Sequence, residues 1–518
     1  MPDRPSLTPS PKTFEPRASR REWIGLAVLT LPTLLLAMDM TVLHLAVPSL
    51  SAALEPTSAQ LLWIVDIYGF MIAGFLIIMG NIGDWIGRRK LLLLGAAAFG
   101  AASVFAAFAP NAELLILARS LLGISGACLM PSTLSLIRNM FKVAADRTKA
   151  ITIWMMSFMV GTVIGPVVGG LLLEWFWWGA VFLLAVPIMV LILILGPKLL
   201  PEHRNENKTG IDLLSAVMAL AAILLLVFAL KEAARYGFDG RAIFAGIAGL
   251  GIGTVFVIRQ TRLENPLLDL ALFQYAGFSA ALVSLTVSIF TIGGSMFLIY
   301  QYLQGVVGLS PLQAGLWLLP STLAGPIVSF AVPALAARIA PNRLIGAGLA
   351  LGTVSLASLA LIGPLNGLAV VVVGMTLLSI GLAPVTILGT DLIVSAAPAE
   401  QAGAASAVSE TGTELGMALG VAVFGSLATA LYRSGFQDRI GDDFPTGLDT
   451  RASETLGAAI AIAKSADAQL AQQMIKVATQ SFTNALQISV LTAATLLGLI
   501  CIVALRSLPR HTGGSETS

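Results

Sequence analysis

Four carboxylates, Asp39, Asp66, Glu410 and Glu414, fall inside stretches that otherwise read as membrane-spanning helices. A charge in hydrocarbon costs at least about 2.5–3.5 kcal/mol, so an acid there faces a polar cavity and serves a purpose. The chemistry open to such groups is proton exchange and pairing with a cation. Glu410 and Glu414 are spaced i,i+4 and share one helix face. Two like charges that close in a poorly hydrated site cannot both ionise cheaply. The pair can therefore hold a proton near neutral pH and lose it when an organic cation arrives. A crevice-lining face that never titrates is the plainer alternative.

Depth in the membrane relates the other charges. Asp39 lies about 16 residues into an outward-running helix, or about 24 Å, and Asp66 about 6 residues, or about 9 Å, into a helix returning from outside. Both fall in the outer half of the bilayer and can face one cavity. Arg119 sits at a similar depth in the fourth span and needs an anion; by depth Asp39 is the candidate. Two roles are open to Arg119. One is a fixed ion pair joining helices 1 and 4, and the other is a modulator of a carboxylate that is freed and protonated in turn. Asp391, at the inner end of the twelfth span, reads as an end charge near the membrane surface.

The elements that must position these groups are helices. The chain has 518 residues, of which 57% are hydrophobic and only 11% charged, with a mean hydropathy of +0.88. That excludes a soluble globular protein, and a net charge of +2 gives no reason to expect a nucleic-acid partner. At about 20 apolar residues per span, fourteen runs stand out. They lie at 23–48, 60–82, 91–109, 113–137, 149–173, 178–197, 212–231, 242–259, 276–302, 311–337, 343–362, 367–394, 402–431 and 483–506. The first run is too long for a signal-peptide core and is read as a retained helix. Most of the 30 Lys and Arg, beginning with Arg4, Lys12, Arg17, Arg20 and Arg21, fall on one side of this pattern. The short loops on the other side hold just Lys231, Arg235 and Arg241. By the positive-inside rule both termini are cytoplasmic.

This divides the chain into a tail (1–22), a six-helix bundle (23–197), a polar linker (198–211), two inserted helices (212–259), a second six-helix bundle (260–506) and a tail (507–518). The outer stretch 432–482 carries Leu456, Ile460, Leu470, Met474 and Val477 at helical spacing, which predicts one or two amphipathic helices lying on the outer surface or capping the cavity, read as a passive surface hairpin in preference to a moving gate. Cys128 and Cys501 lie far apart in apolar segments and read as unbridged. The three histidines show no metal-ligand spacing, so neither metal nor cofactor is expected.

Cation recognition also calls for ring faces, worth about 0.5–2 kcal/mol each, and polarizable walls. Tyr68, Trp154, Met155, Phe158, Tyr300, Gln301 and Trp317 lie on helices expected to line the cavity, although ordinary packing explains each one equally well. Trp175, Trp177 and Trp178 cluster at an outer helix end as interfacial anchors.

Several motifs now occur in order. They are Met38-Asp39-Met40-Thr41-Val42 with Ala46-Val47-Pro48, Leu62-Trp63-Ile64-Val65-Asp66-Ile67-Tyr68, and Gly80-Asn-Ile-Gly-Asp84-Trp-Ile-Gly87-Arg88-Arg-Lys90. Arg119 with Gly123 and Gly161-x-x-x-Gly165-Pro166-x-x-Gly169-Gly170 follow. A worn echo of the third, Ala337-Arg-Ile-Ala-Pro-Asn-Arg343, opens the eleventh span and suggests parallel halves. With these motifs the chain resembles the fourteen-helix drug:proton antiporters of the major facilitator superfamily, nearest the bacterial quaternary-ammonium and methyl-viologen efflux proteins.

The resemblance covers about residues 20 to 507. It implies an all-α integral membrane protein with the major facilitator fold, fourteen transmembrane helices arranged 6+2+6, in the bacterial inner membrane. It further implies a monomer driven by the proton gradient that expels lipophilic cations, with no enzymatic chemistry. Asp39, Asp66, Glu410 and Glu414 would be the proton and cation sites and Arg119 their modulator. Gly80, Asp84, Gly87 and Arg88 would lock the inner side, partly through the end of a helix in the opposite half. Gly161, Gly165, Pro166, Gly169 and Gly170 would seal the outer side. Two departures stand out: His44 replaces the family's usual Asn, and Gly325 stands where some relatives carry an acid that helps take dications. A lipid or cell-envelope exporter of the same family, a proton symporter importing a metabolite and a non-transporting membrane sensor are the alternatives, although a sensor would need no titrating acids inside its helices.

Overall fold

The computed structural model describes residues 18–202, 212–263, 266–267, 270–363, 366–397, 402–440, 451–464 and 466–508. Arg4, Lys12, Arg17, most of the 198–211 linker, part of the outer stretch and the end of the tail lie outside the described residues.

Among the described residues there is no strand, and fourteen helices are long and apolar enough to cross a membrane. They are α1 Arg20–Leu54, α2 Ser58–Ile86, α3 Arg88–Ala107, α4 Ala112–Met140 and α5 Ala144–Trp175. Next come α6 Ala180–Leu199, α7 Leu213–Tyr236, α8 Gly240–Gln260, α9 Ala276–Gly305 and α10 Pro311–Ala336. The last four are α11 Pro341–Leu359, α12 Gly367–Ser395, α13 Ala402–Ile440 and α14 Ala468–Ser507. In lipid every backbone polar group must be satisfied within the segment, so apolar runs of this length have no other option.

Short polar residues set many of the starts. Ser19 with Glu22 and Thr57 with Gln60 form capping boxes on α1 and α2, and Asn111, Asp212, Asp239 and Asp467 cap α4, α7, α8 and α14. Each side chain gives a free N–H of the first turn an acceptor. Within the first third of α6 and of α10 the helix breaks for one residue, at Leu184 and Leu318.

With inner and outer defined by the Lys and Arg distribution, the two halves meet along the outer side. A Cβ added at Gly170 of α5 would lie 2.6 Å from the Leu312 Cα of α10, and one at Gly315 would lie 2.6 Å from the Pro166 carbonyl oxygen. Gln304 of α9 donates to the Leu45 carbonyl of α1 at 3.2 Å. Across the inner end, Gly80 faces open space, Trp85 is 59% exposed, and Asp84 and Arg88 bond to each other at 2.7 Å. An outer side closed by these contacts, with Gly80 and Trp85 uncovered at the inner end, fits the inward-facing arrangement of a two-bundle transporter.

The outer stretch departs from the passive hairpin expected of it. A loop helix, Leu456–Ala463, buries Leu456, Ala459 and Ala463 and packs on α1 of the first half and on α9 and α14 of the second. A Cβ at its Gly457 would lie 2.9 Å from the Ser51 side chain of α1. Its apolar face has a groove to fill, so it wedges between the halves instead of lying on the surface. Leu470, Met474 and Val477 lie on the outer extension of α14, which begins at Ala468.

Candidate functional site

The guanidinium of Arg119 reaches its anion across α4 and α1. Nη1 donates to Asp39 Oδ2 at 2.7 Å and Nε to the Ile64 carbonyl of α2 at 3.2 Å. The group lies 4.4 Å from the Tyr68 ring centroid and 5.9 Å from that of Phe182. Arg119 is fully buried, and the Asp39 side chain keeps 14% of its exposure. The helices come this close because Gly123, one turn along α4 from Arg119, packs on α2; a Cβ there would lie 2.6 Å from the Tyr68 carbonyl oxygen. An Arg that bonds an acid and a carbonyl at once exploits its rigid fork of donors.

Asp66 also has a partner, and sequence reasoning missed it. Lys231, expected in an outer loop, lies inside α7 with its Nζ 2.9 Å from Asp66 Oδ1 and 2.8 Å from Oδ2. Side-chain exposures of 1% and 0% make this a fully buried ion pair. The ammonium also sits 3.6 Å from the ring centroid of Trp63. The pair closes a seam in which Val227 of α7 packs with Phe70 of α2 and with Ala418 and Ala422 of α13. The inserted helix α7 therefore touches both halves.

Glu414 has no such partner: it is buried, and its Oε2 has no hydrogen-bond partner. Glu410, one turn back on α13, is half-buried. Glu414 and Asp66 line one small cavity with Arg119, Tyr68, His44, Met40 and Met417. Its volume of about 30 Å³ holds a water or two and nothing larger. The carboxylates thus fall into two kinds. Asp39 and Asp66 carry resident cations, whereas no ion pair is seen for Glu410 or Glu414 among the described residues.

Of the expected wall residues, Tyr68 alone lines this cavity among the described residues. Trp154 donates to Thr133 within the first half at 3.2 Å. Phe158 is half-buried on α5, while Met155 and Trp317 are 54% and 49% exposed. Tyr300 is fully buried and stacks on His44 at 6.2 Å, and Gln301 lines a second gap nearer the outer side with Tyr432 and Glu454. His44 Nδ1 is buried without a hydrogen-bond partner, so this ring packs instead of bonding as an Asn would. Gly325 abuts Ser379, whose Oγ would lie 2.7 Å from an added Cβ. Asp391 is exposed.

The glycines of α5 serve close approach. A Cβ at Gly161 or Gly165 would overlap the Leu34 carbonyl or the Thr41 hydroxyl of α1, and one at Gly169 would lie 2.6 Å from Val42. Gly87, at φ +111°, turns the chain between α2 and α3. The neighbouring Arg88 bonds Asp84 in its own half, and no hydrogen bond or ion pair with the opposite half is seen for the pair among the described residues.

Sequence reasoning also missed a network on the outer face. Glu454 Oε2 accepts from the Ser58 N–H and hydroxyl at the start of α2, at 3.0 and 2.9 Å. Its Oε1 meets Arg235 of α7 at 2.8 Å, and Arg451 pairs with Glu55. Burial alone would raise the Glu454 carboxyl, but the Ser58 and Arg235 bonds outweigh it and hold the group below its ordinary 4.5. Glu55, Arg235, Arg451 and Glu454 line a cavity of about 420 Å³.

Fourteen spanning helices around buried charges, without a metal-ligating cluster among the described residues, define a membrane transporter. The family model of the Major Facilitator Superfamily matches residues 29–421, and the chain belongs to that family. It is 43% identical over 485 residues to the multidrug efflux pump LfrA of Mycolicibacterium smegmatis, covering 93% of this chain and 95% of that one. It is 34% identical over 497 residues to the methyl viologen resistance protein SmvA of Salmonella typhimurium, covering 93% and 97%. Among solved structures, a bacterial homologue of the human lysosomal transporter Spinster, in an inward-facing and unoccupied conformation, superposes with a TM-score of 0.65 at 18% identity, covering 96% of this chain and all of that one. That likeness concerns the fold alone. The protein is a multi-pass secondary transporter of the bacterial plasma membrane, not an enzyme.

Proposed function

We propose that the chain is a proton-coupled multidrug efflux antiporter that expels lipophilic organic cations such as quaternary ammonium compounds and cationic dyes. The names of its relatives, a multidrug efflux pump and a methyl viologen resistance protein, support export of small-molecule drugs. The observation that carries the coupling is Glu414, a buried carboxylate without a partner beside two acids that have theirs. A bare carboxylate buried this way costs several kcal/mol. Glu414 therefore takes one of two neutralisers, a proton or a cation, and the two compete.

In the outward-open form protons enter, neutralise Glu414 and Glu410, and release the bound cation. The neutral site rocks inward, loses its protons and draws a new cation from the cytoplasm or inner leaflet. Protonation supplies the differential affinity that any ligand-driven shift requires. The cavity of the present form is too small for such a cation, so entry displaces the flexible Met40 and Met417 side chains that line it. Arg119 holds Asp39 for release later in the cycle. The machine works as a monomer and needs no cofactor beyond the proton gradient, since one chain supplies both halves and every charge named.

The test is proton release on binding. Ethidium added to purified protein in weak buffer near pH 7 should acidify the solution, and the Glu414→Gln variant should bind without that signal. Equal proton release from both proteins would remove Glu414 from the mechanism.

A further inference from the structure

Lys231, the partner of the cavity-lining Asp66, is a buried charge that the antiport cycle does not use. Its ammonium occupies what a cationic ligand would occupy: a carboxylate on one side, Asp66 at 2.8–2.9 Å, and an aromatic face on the other, Trp63 at 3.6 Å. Both ingredients of a cation site are present, and the site is already filled from within the chain. Asp66 also borders the cavity that contains Glu414.

We infer that Lys231 is a tethered counter-ion that sets the charge class of the cargo: by occupying the Asp66–Trp63 site it leaves the cavity one free carboxylate, Glu414, and so selects cations of a single charge over dications. The inference rests on the reading of this cavity as the cation site. Without Lys231, Asp66 and Glu414 would face the same small space as two uncompensated acids, and two like charges there are relieved best by two positive charges. Arg119 does not change the count, because Asp39 neutralises it. Glu410 lies one turn away on α13 and is absent from the lining of this cavity. Gly325, packed against Ser379, adds no acid. Lys231 is thus a specificity-determining residue supplied by the inserted helix α7.

A bland alternative makes the pair a pin that docks α7 on the seam of α2 and α13. The two readings separate by titrating purified protein with ethidium, a monocation, and methyl viologen, a dication. The Lys231→Met variant should tighten methyl viologen relative to ethidium by about tenfold or more, a 1.4 kcal/mol change in the ratio. Adding Asp66→Asn in the double variant should return the ratio to that of wild type. A pin would weaken both ligands alike and leave the ratio unchanged, and that outcome overturns the inference.

Should Lys231→Met fail to fold, Asp66→Asn alone decides. It leaves an uncompensated ammonium at the cavity and must weaken methyl viologen several-fold more than ethidium. Equal weakening overturns the inference. Wild-type protein that binds neither ligand overturns the cation-site reading as well, whereas binding with an unchanged ratio overturns the role of Lys231 alone.

Discussion

Replacing Arg119 with Ala removes the guanidinium from between Tyr68 and Phe182 and breaks the 2.7 Å bond to Asp39. It also strips the Ile64 carbonyl of a donor. Removing one partner of a buried pair costs about 3–5 kcal/mol, mostly because the other charge is left uncompensated. Asp39 retains 14% exposure, so water takes part of the load and the lower end applies, about 3 kcal/mol. The assay is reversible unfolding in SDS for Arg119→Ala, Asp39→Asn and the double variant. If the pair carries the cost, the double variant loses less than the two single variants together, with a coupling of about 1–3 kcal/mol. Arg119→Lys should fall between, because a point charge cannot bond both Asp39 and the Ile64 carbonyl in the same fork. Strict additivity, or a cost below about 1 kcal/mol for Arg119→Ala as at an exposed pair, would refute the reasoning.

Other predictions follow from the same contacts. Gly170→Leu forces a side chain into the Leu312 backbone, where a Cβ already lies 2.6 Å from Cα. Overpacking of about 1–3 kcal/mol would shift the closed–open balance of the outer side by roughly 5- to 150-fold. Externally added maleimide should then label a Gln304→Cys reporter faster, over a low background because Cys128 and Cys501 are buried, and efflux should fall. Unchanged labelling would mean that α5 and α10 do not form the seal. Glu454, held below its ordinary 4.5 by Ser58 and Arg235 despite burial, gives the loop a pH dependence of known sign. A depressed carboxyl contributes stability that is complete above 4.5 and is lost as pH falls through its lower folded value. Proteolysis of the outer stretch from outside should therefore rise as pH falls below 4.5, and Glu454→Gln should show the raised rate already at pH 7. A loop equally resistant in both proteins would assign the latch elsewhere. The Lys231→Met variant, as argued above, should favour methyl viologen over ethidium.

How much of this was legible in the chain depended on the distance over which each signal acts. The fourteen spans were readable because a run of about 20 apolar residues has one fate in lipid, and depth alone brought Arg119 level with Asp39. Lys231 was hidden by its place as the last residue of an apolar run, 212–231, where a Lys reads as an end charge of the outer loop. The helix instead continues to Tyr236, because an acid and a ring 165 and 168 residues earlier in the chain neutralise the charge. No local pattern records that pairing. Glu454 and Arg235 pose the same difficulty across 219 residues. In the outer stretch the helical spacing of Leu456 and Ile460 was visible, but what those residues cover is a matter of tertiary contact. They fill the space beside Gly305 of α9, and that turns a surface hairpin into a wedge.

The central claim is that an unpaired acid on α13 trades protons for organic cations. Ethidium transport in proteoliposomes under an imposed pH gradient tests it most directly, with wild type compared against Glu414→Gln, Glu410→Gln and Asp39→Asn. Transport by wild type that follows the gradient, and loss of that response in Glu414→Gln with the protein still folded, is the predicted result. Gradient-driven transport that survives in Glu414→Gln would contradict the account.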